Sequence, residues 1–218
     1  ITIGDYSLIK TRASFNRPLS ETLALRASFI THKRDGFTDN LSTGQDLDDA
    51  DSISARVRFL YQPSDAFRAN FTAQIFDENR NGSAQKGLLD TTTDPRKLRQ
   101  NSKTEHKLEA SLYSMVLEWD YDAFSIKSLT SHQVDDILVR RDNDRNDAAY
   151  LPPFAQLPSE YDPETNKQTT ITQEFNIVSA QPYMGKLDWI AGFFYLDTEI
   201  DISIRACLLY TSEAADEQ

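Results

Sequence analysis

The sequence predicts an all-β protein: an antiparallel, up-and-down transmembrane β-barrel, of which about eight strands are present. Three observations predict this fold. Apolar and polar residues alternate with a period of two over long segments, which is typical of strands with two unlike faces. Short and long connections alternate along the chain. No segment approaches the ~20 apolar residues that a membrane-spanning helix requires, so a helical membrane protein is excluded.

Residues 169–178 and 187–196 show the strand pattern most clearly, because their apolar side chains occupy alternate positions. On the second of these strands the apolar face carries Trp189, Ala191, Phe193 and Tyr195. Pro182 and Gly185 lie between the two strands and predict a tight turn. A face with three aromatic rings needs an apolar partner, which is either a protein core or lipid.

Six further strands are predicted from the same alternation, at residues 6–15, 22–33, 52–61, 66–76, 107–120 and 123–133. Tight turns are expected at 16–21, 62–65, 120–122 and 179–186, and long loops at 35–51, 77–104 and 135–167. Residues 197–205 are expected to begin a further excursion. This order places all long loops at one end of an antiparallel sheet. No proline falls inside a predicted strand, as central pairing requires.

Charged residues on the strands occupy the face opposite the aromatic rings. They are Arg12, Arg26, Arg56, Arg58, Arg68, Glu118, Lys127 and Glu174. In a membrane barrel these side chains would line a hydrated lumen, whereas in a soluble β-sandwich they would face the solvent. Alternation alone does not separate the two folds. Strand length favours the barrel, because a bilayer requires ~9–11 residues per strand and soluble sheets use ~5–6.

The composition excludes several classes of function. The formal charge of −11 disfavours a nucleic-acid partner, because phosphates require a basic surface. Cys207 is the single cysteine, which excludes a disulfide framework and a thiolate metal site. That scarcity suits a protein that crosses an oxidising periplasm.

No catalytic, cofactor or metal site is predicted, and the protein is not expected to be an enzyme. Residues 77–82 match the first half of an EF-hand loop, but Leu88 stands where a bidentate glutamate is required. The three histidines are scattered, and the nearby arginines Arg140, Arg141 and Arg145 neutralise Asp142, Asp144 and Asp147. The arginines of the polar face could bind an anionic ligand. We favour a structural role, in which they pair with an internal plug or with each other.

Residues 170–179 and 187–195 together resemble the mid-barrel hairpin of TonB-dependent outer-membrane receptors of Gram-negative bacteria. Residues 33–37 (KRDGF), 45–52 (QDLDDADS) and 61–65 (YQPSD) occur in the order that is typical of the early barrel of such receptors. The resemblance extends from residue 1 to about residue 203. It implies a cell outer-membrane location, contact with lipid, and uptake of a scarce ligand such as a ferric siderophore, cobalamin or a glycan.

The resemblance also implies energy coupling through the inner-membrane TonB complex, by way of an N-terminal plug and a contact motif that this chain lacks. Receptors of this type have about 22 strands, so residues 1–203 are expected to be a partial barrel. We expect that a preceding segment has been lost.

Residues 204–218, which include Cys207 and resemble a translated sequencing adapter, are expected to be a non-native or disordered tail. No ligand or coupling residue is assigned. A complete eight-stranded barrel with a structural or adhesive role and a soluble β-sandwich binding module are the alternatives.

Overall fold

The computed structural model describes residues 1–88, 90–143, 145–147 and 164–203, and the regular secondary structure in these ranges is β-strand. None of these residues belongs to a helix long and apolar enough to cross a membrane. In these ranges the strands are β1 Thr2–Gly4, β2 Leu8–Pro18, β3 Leu23–Arg34, β4 Thr38–Asn40, β5 Asp46–Leu47, β6 Ala50–Ser64, β7 Phe67–Arg80, β8 Lys97–Leu98, β9 Glu105–Asp120, β10 Phe124–Arg140, β11 Glu164–Ser179 and β12 Ile190–Ser203.

Nine of these strands form one antiparallel sheet in the order β1-β2-β3-β6-β7-β9-β10-β11-β12. From β2 onward, each long strand is hydrogen-bonded to the long strand that follows it along the chain, which confirms the predicted up-and-down topology. The connections β3 to β6, β7 to β9 and β10 to β11 are long and leave the same end of the sheet. We call this the loop end, and the opposite end, which carries tight connections, the turn end.

The start of the sheet differs from the prediction. The strand predicted at 6–15 begins only at Leu8, because residues 5–7 form a tight turn in which Tyr6 and Ser7 have φ angles of 57° and 55°. The Leu8 amide donates to the Asp5 carbonyl across this turn at 3.2 Å. The short strand β1 precedes the turn and pairs with β2. Sequence alternation over three residues is too short to indicate such a strand.

The strands at the far edge are longer than predicted. β10 continues to Arg140 rather than ending at residue 133. Asp135 and Asp136 form consecutive ladder pairs with β9 and lie on opposite faces of the sheet, so these two carboxylates do not interrupt the strand. β12 begins at Ile190 and runs to Ser203, so the prediction of an excursion at 197–205 is wrong for the described residues 197–203.

Two prolines lie within strands, contrary to the prediction that strands contain none. Pro18 is the last residue of β2, and Pro63 is the penultimate residue of β6. The register of β6 against β7 shifts between Tyr61 and Ser64, so Pro63 lies in an irregularity where it does not need to donate a ladder hydrogen bond.

The register places aromatic rings on one face of the main sheet, which we call the aromatic face. Phe59 pairs directly with Phe71, and Phe71 with Met115, while Phe175 pairs with Phe193 further along the sheet. Phe71 is 40% exposed and Phe193 is 62% exposed. In the described part of the chain the buried hydrophobic side chains are Leu47 and Leu98, and both lie outside the main sheet. No layer of these residues covers the aromatic face.

A charged register row, meaning residues paired directly across neighbouring strands, bounds the aromatic face toward the loop end. Its members in order across the sheet are Asp77, Glu109, Asp136, Lys167 and Asp201. All five side chains are exposed. Between this row and the turn end, the aromatic face of β9 carries Tyr113, Met115, Leu117 and Trp119. On β7 the apolar residues of the face extend to Ile75, directly before this row, whereas on β12 they end earlier, before Asp197.

Some predicted features fall outside the described residues. They are the tail at 204–218 with Cys207, the residue Asp144, and residues 148–163 of the long loop between β10 and β11.

Candidate binding surface: the loop layer and the polar face

Two of the predicted loops fold back over the loop end and form a second, smaller sheet. β4 pairs antiparallel with β5 and parallel with β8, which joins residues 35–49 to residues 81–104. We call these two segments the loop layer. Its core consists of Leu47 and Leu98, which are 0% and 1% exposed. The prediction of long irregular loops is therefore incomplete, because strands of two or three residues leave no periodic signal in the sequence.

Buried polar side chains fix the two segments against each other. The Asn40 side-chain oxygen accepts from the Gln100 amide at 3.1 Å, and both residues are 1% exposed. The Gln45 side chain accepts from the Thr104 amide at 2.9 Å and donates to the Thr104 carbonyl at 3.0 Å. Such bonds compensate the dehydration of buried polar groups and give the layer one arrangement.

Asp48 makes the corresponding link between the start of β4 and the second segment. One carboxylate oxygen accepts from the Thr38 hydroxyl at 2.7 Å, and the other accepts from the Ala84 amide at 3.0 Å. The Arg34 guanidinium donates to the Asp48 carbonyl, which connects the loop layer to the end of β3.

Gly36 occupies the point where the chain leaves β3 and enters the loop layer. A Cβ atom at this position would lie 2.5 Å from the Leu47 carbonyl oxygen and 2.6 Å from the Asp46 carbonyl carbon. Both are backbone atoms that cannot rotate away, so only glycine fits without moving β5. This close approach gives a physical reason for the glycine of the KRDGF segment.

The turn that precedes β2 also contacts the loop layer. The Tyr6 ring lies edge-on to Phe37 with centroids 6.0 Å apart, and its hydroxyl bonds to the Arg96 guanidinium. The Arg34 guanidinium stacks 4.9 Å from the Phe37 ring centroid. Aromatic and cationic groups thus attach the first turn of the sheet to the layer.

Asp90 organises the outer part of the second segment. It accepts from the Thr92 amide at 2.8 Å, from the Thr92 hydroxyl at 2.7 Å and from the Arg99 amide at 2.8 Å. Partial burial tends to raise the pKa of this carboxyl group, but the hydrogen bonds from Thr92 and Arg99 outweigh it and hold the pKa below its ordinary value. At Asp49, in contrast, burial is the dominant effect and raises the pKa.

Replacing Asp90 by asparagine is expected to loosen residues 90–99 at neutral pH, because an amide cannot accept all three bonds. We expect amide hydrogen exchange at Thr92 and Arg99 to be about five- to tenfold faster, corresponding to roughly 1 kcal/mol. A lowered pKa stabilises the folded layer above the unfolded carboxyl value of about 3.9, and this contribution is lost as the pH falls through the folded value. The difference between variant and parent should therefore shrink in acid. An effect independent of pH would contradict the role of the charge.

A cavity of about 120 Å³ lies between the loop layer and the adjacent strand ends of the main sheet. Arg80, His106 and Arg141 line one side of it, and Gln100 lines the other. The Gln100 amide nitrogen donates to the Gln85 carbonyl at 2.8 Å, while its oxygen is buried with no partner in the described part of the chain. Glu78 lies 2.9 Å from the Arg80 Nε and 3.2 Å from the His106 Nδ1. These contacts are too bent for hydrogen bonds, so Glu78 acts on both groups mainly through its charge.

The face of the main sheet opposite the aromatic face is polar, and we call it the polar face. The register places all eight charged residues predicted for it on this side: Arg12, Arg26, Arg56, Arg58, Arg68, Glu118, Lys127 and Glu174. The predicted segregation of charge from aromatic rings is therefore confirmed for these positions.

The charges on this face are unevenly distributed. The Glu118 carboxylate lies 3.2 Å from the Lys127 ammonium and 3.8 Å from the Arg68 guanidinium. It therefore offsets part of the positive charge of these two residues. On β2, β3 and β6 the polar face carries cations and no carboxylate: Lys10, Arg12, Arg26, Arg34, Arg56 and Arg58. Arg26 and Arg58 are direct cross-strand neighbours. Arg68 therefore meets a carboxylate of its own face, and the pairing of the arginines with an internal plug or with each other stays a prediction.

The candidate metal ligands do not converge. In the described ranges, no group of three or more histidine, cysteine, aspartate or glutamate side chains could hold a metal ion. Residues 77–80 of the EF-hand-like segment belong to β7 rather than to a loop. Asp142 is 2% exposed and accepts from the Ser102 and Arg145 amides, while Asp147 accepts from the Ser42 hydroxyl.

Comparison with known proteins gives a match in structure only. No protein-family model matches the chain, and no curated protein matches it in sequence. Among solved structures, the chain is similar to the ferric yersiniabactin uptake receptor FyuA from Yersinia pestis, with a TM-score of 0.79 and 13% sequence identity. The match covers 95% of this chain and 31% of that chain. At this identity the likeness shows the fold alone, which is that of a section of an outer-membrane β-barrel.

Proposed function

We propose that the chain forms part of the barrel of a TonB-dependent receptor in the outer membrane of a Gram-negative bacterium. Its role is the uptake of a scarce ligand, such as a ferric siderophore, cobalamin or a glycan, rather than an enzymatic reaction. The observation that carries this proposal is the uncovered aromatic face of a sheet whose fold matches a section of a receptor barrel. Because the chain spans 31% of that receptor, the activity of a whole receptor is part of the proposal.

The aromatic face supports contact with lipid. Along β7 its apolar stretch runs from Phe67 to Ile75, the last position before Asp77, a rise of roughly 27 Å along the strand. A strand tilt of about 40° reduces this to roughly 21 Å, which is within one register row of the ~25 Å apolar band of outer-membrane barrels. Burial of such rings in hydrocarbon supplies the apolar partner that the described residues lack.

The polar face and the loop layer support a ligand pathway. Charged and amide side chains on the polar face suit a hydrated interior, and the loop layer covers the end of the sheet from which a ligand would approach in this orientation. The cavity at Arg80, His106 and Gln100 lies between these two surfaces and combines the nitrogen atoms of Arg80 and His106 with the acceptor oxygen of Gln100. A plug domain and the TonB complex are the further partners that this family implies.

The proposal is tested by expressing the complete reading frame in a Gram-negative host that lacks its own receptors. We expect the protein in the outer-membrane fraction, with migration on a gel that changes after heating. Uptake of radiolabelled iron chelates, cyanocobalamin and maltodextrin is then measured with and without functional TonB. TonB-dependent uptake of one probe class is expected. A protein found in the soluble fraction, or uptake unaffected by loss of TonB, would contradict the proposal.

A further inference from the structure

We propose that Arg26 and Arg58 form a binding site for a small oxyanion on the polar face, in the turn-end half of the sheet and away from the loop layer. The two residues face each other directly across β3 and β6. An open hollow of about 190 Å³ is lined by both arginines together with Asn16, Leu60 and Asn70. This site does not depend on the ligand that is taken up, because it requires only that the polar face is wet.

The charge arrangement points to an anion. Two like charges placed directly opposite each other across a ladder destabilise a sheet unless something lies between them. Within the described residues, neither guanidinium has a carboxylate within 4.0 Å, whereas Arg68 on the same face reaches Glu118 at 3.8 Å. Nearby, Arg56 donates to the Gln74 side-chain oxygen at 2.7 Å, so it is held by a neutral partner and keeps its full charge. The surroundings therefore add to the positive potential instead of cancelling it.

The chemistry of the lining selects an oxyanion over other ligands. A guanidinium presents planar pairs of N–H donors that match two oxygens of a carboxylate or phosphate. Asn16 and Asn70 each add an amide with two further donors, and Leu60 pairs with Asn70 at the edge of the hollow. The hollow is open to solvent, and its volume of about 190 Å³ suits one carboxylate or phosphate group.

The alternative occupant is an acidic segment of protein that packs against the same face. Such a segment would supply the missing carboxylates permanently, so the arginines would stabilise the protein without any added anion. The oxyanion site predicts the opposite: the arginine pair is unfavourable when empty and becomes favourable only when the ligand is present. The effect of an added anion on stability therefore distinguishes the two occupants.

The experiment uses the intact protein purified in detergent, with inorganic phosphate, citrate or chloride added at constant ionic strength. We expect millimolar phosphate or citrate, but not chloride, to raise the thermal unfolding midpoint and to broaden the phosphate resonance in ³¹P NMR. Arg58→Gln and Arg26→Gln should each weaken the apparent affinity about tenfold or more. Arg12→Gln is the matched control, because it removes the same charge from the same face two register rows away and should leave the affinity unchanged. Comparing phosphate with citrate identifies which oxyanion is preferred.

Stability in chloride provides a second readout. Arg58→Gln should keep or raise the unfolding midpoint there, since it removes the repulsion from Arg26. Arg58→Lys, which retains the charge but loses the planar donors, should keep the repulsion and bind phosphate more weakly than the parent. A lowered midpoint for Arg58→Gln in chloride, together with no response of the parent to phosphate or citrate, would show an acidic protein partner and overturn the proposal. An equal loss of response in Arg12→Gln would show nonspecific screening and overturn it as well.

Discussion

Replacing Phe71 by arginine is expected to destabilise the protein by about 2–4 kcal/mol, the cost of placing a cation at the middle of the surface that faces lipid in the proposed orientation. Phe71 lies between Phe59 and Met115 in one register row of the aromatic face, and the residue is 40% exposed. Urea unfolding in lipid vesicles, followed by heat-modifiable gel migration, measures the loss.

Ser114→Arg is the matched control for this prediction. Ser114 is one residue from Met115 on the same strand, but its side chain lies on the polar face between Thr72 and Ser131. A cation there enters the hydrated interior, so we expect a change below about 1 kcal/mol. If both variants unfolded at the same urea concentration, the assignment of the two faces to lipid and water would be wrong.

Replacing Leu47 by alanine is expected to unfold the loop layer locally. Leu47 is 0% exposed and forms the core of the layer with Leu98, so its truncation removes about half of a very small core. Leu→Ala substitutions at fully buried sites cost about 2–5 kcal/mol, which is large for a layer held by so few apolar contacts. We expect rapid hydrogen exchange and protease cleavage within residues 36–48 and 90–104.

Leu41→Ala serves as the control, since Leu41 belongs to the same segment but is 44% exposed. It should leave exchange and cleavage close to those of the parent. The main sheet should keep its unfolding midpoint in both variants, because its long strands pair with each other independently of the layer. Loss of the whole barrel in Leu47→Ala would mean that the layer and the sheet unfold as one unit.

The main sheet was predictable because each strand has two faces of different polarity. Phe71 lies on the aromatic face and must be apolar, whereas the next residue, Thr72, lies on the polar face and need not be. The alternation of the two faces is therefore visible in the sequence. The same rule explains the error at the end of β12. There the aromatic face of β12 becomes charged at Asp197, before the charged register row is reached at Asp201, so the polarity of the pattern reverses although the strand continues.

The loop layer could not be predicted, because its fold depends on pairs that are distant in sequence. Asn40 and Gln100 are 60 residues apart, and neither position carries a local signal that it is buried. The pairing of charges on the polar face could not be predicted from the sequence either. Alternation places Arg26 and Arg68 on one face, but only the strand register shows that Arg68 meets Glu118 while Arg26 meets Arg58.

In the proposed membrane orientation, the charged register row at the loop end limits how deeply the sheet can enter the bilayer. Three adjacent carboxylates, Asp77, Glu109 and Asp136, stand side by side where the apolar surface ends. Because tilted strands place the three at successive heights, sinking by roughly 7 Å along the strands would submerge them one after another, and each would have to lose its hydration. Movement in that direction is therefore opposed, and in this orientation the loop layer stays above the lipid surface.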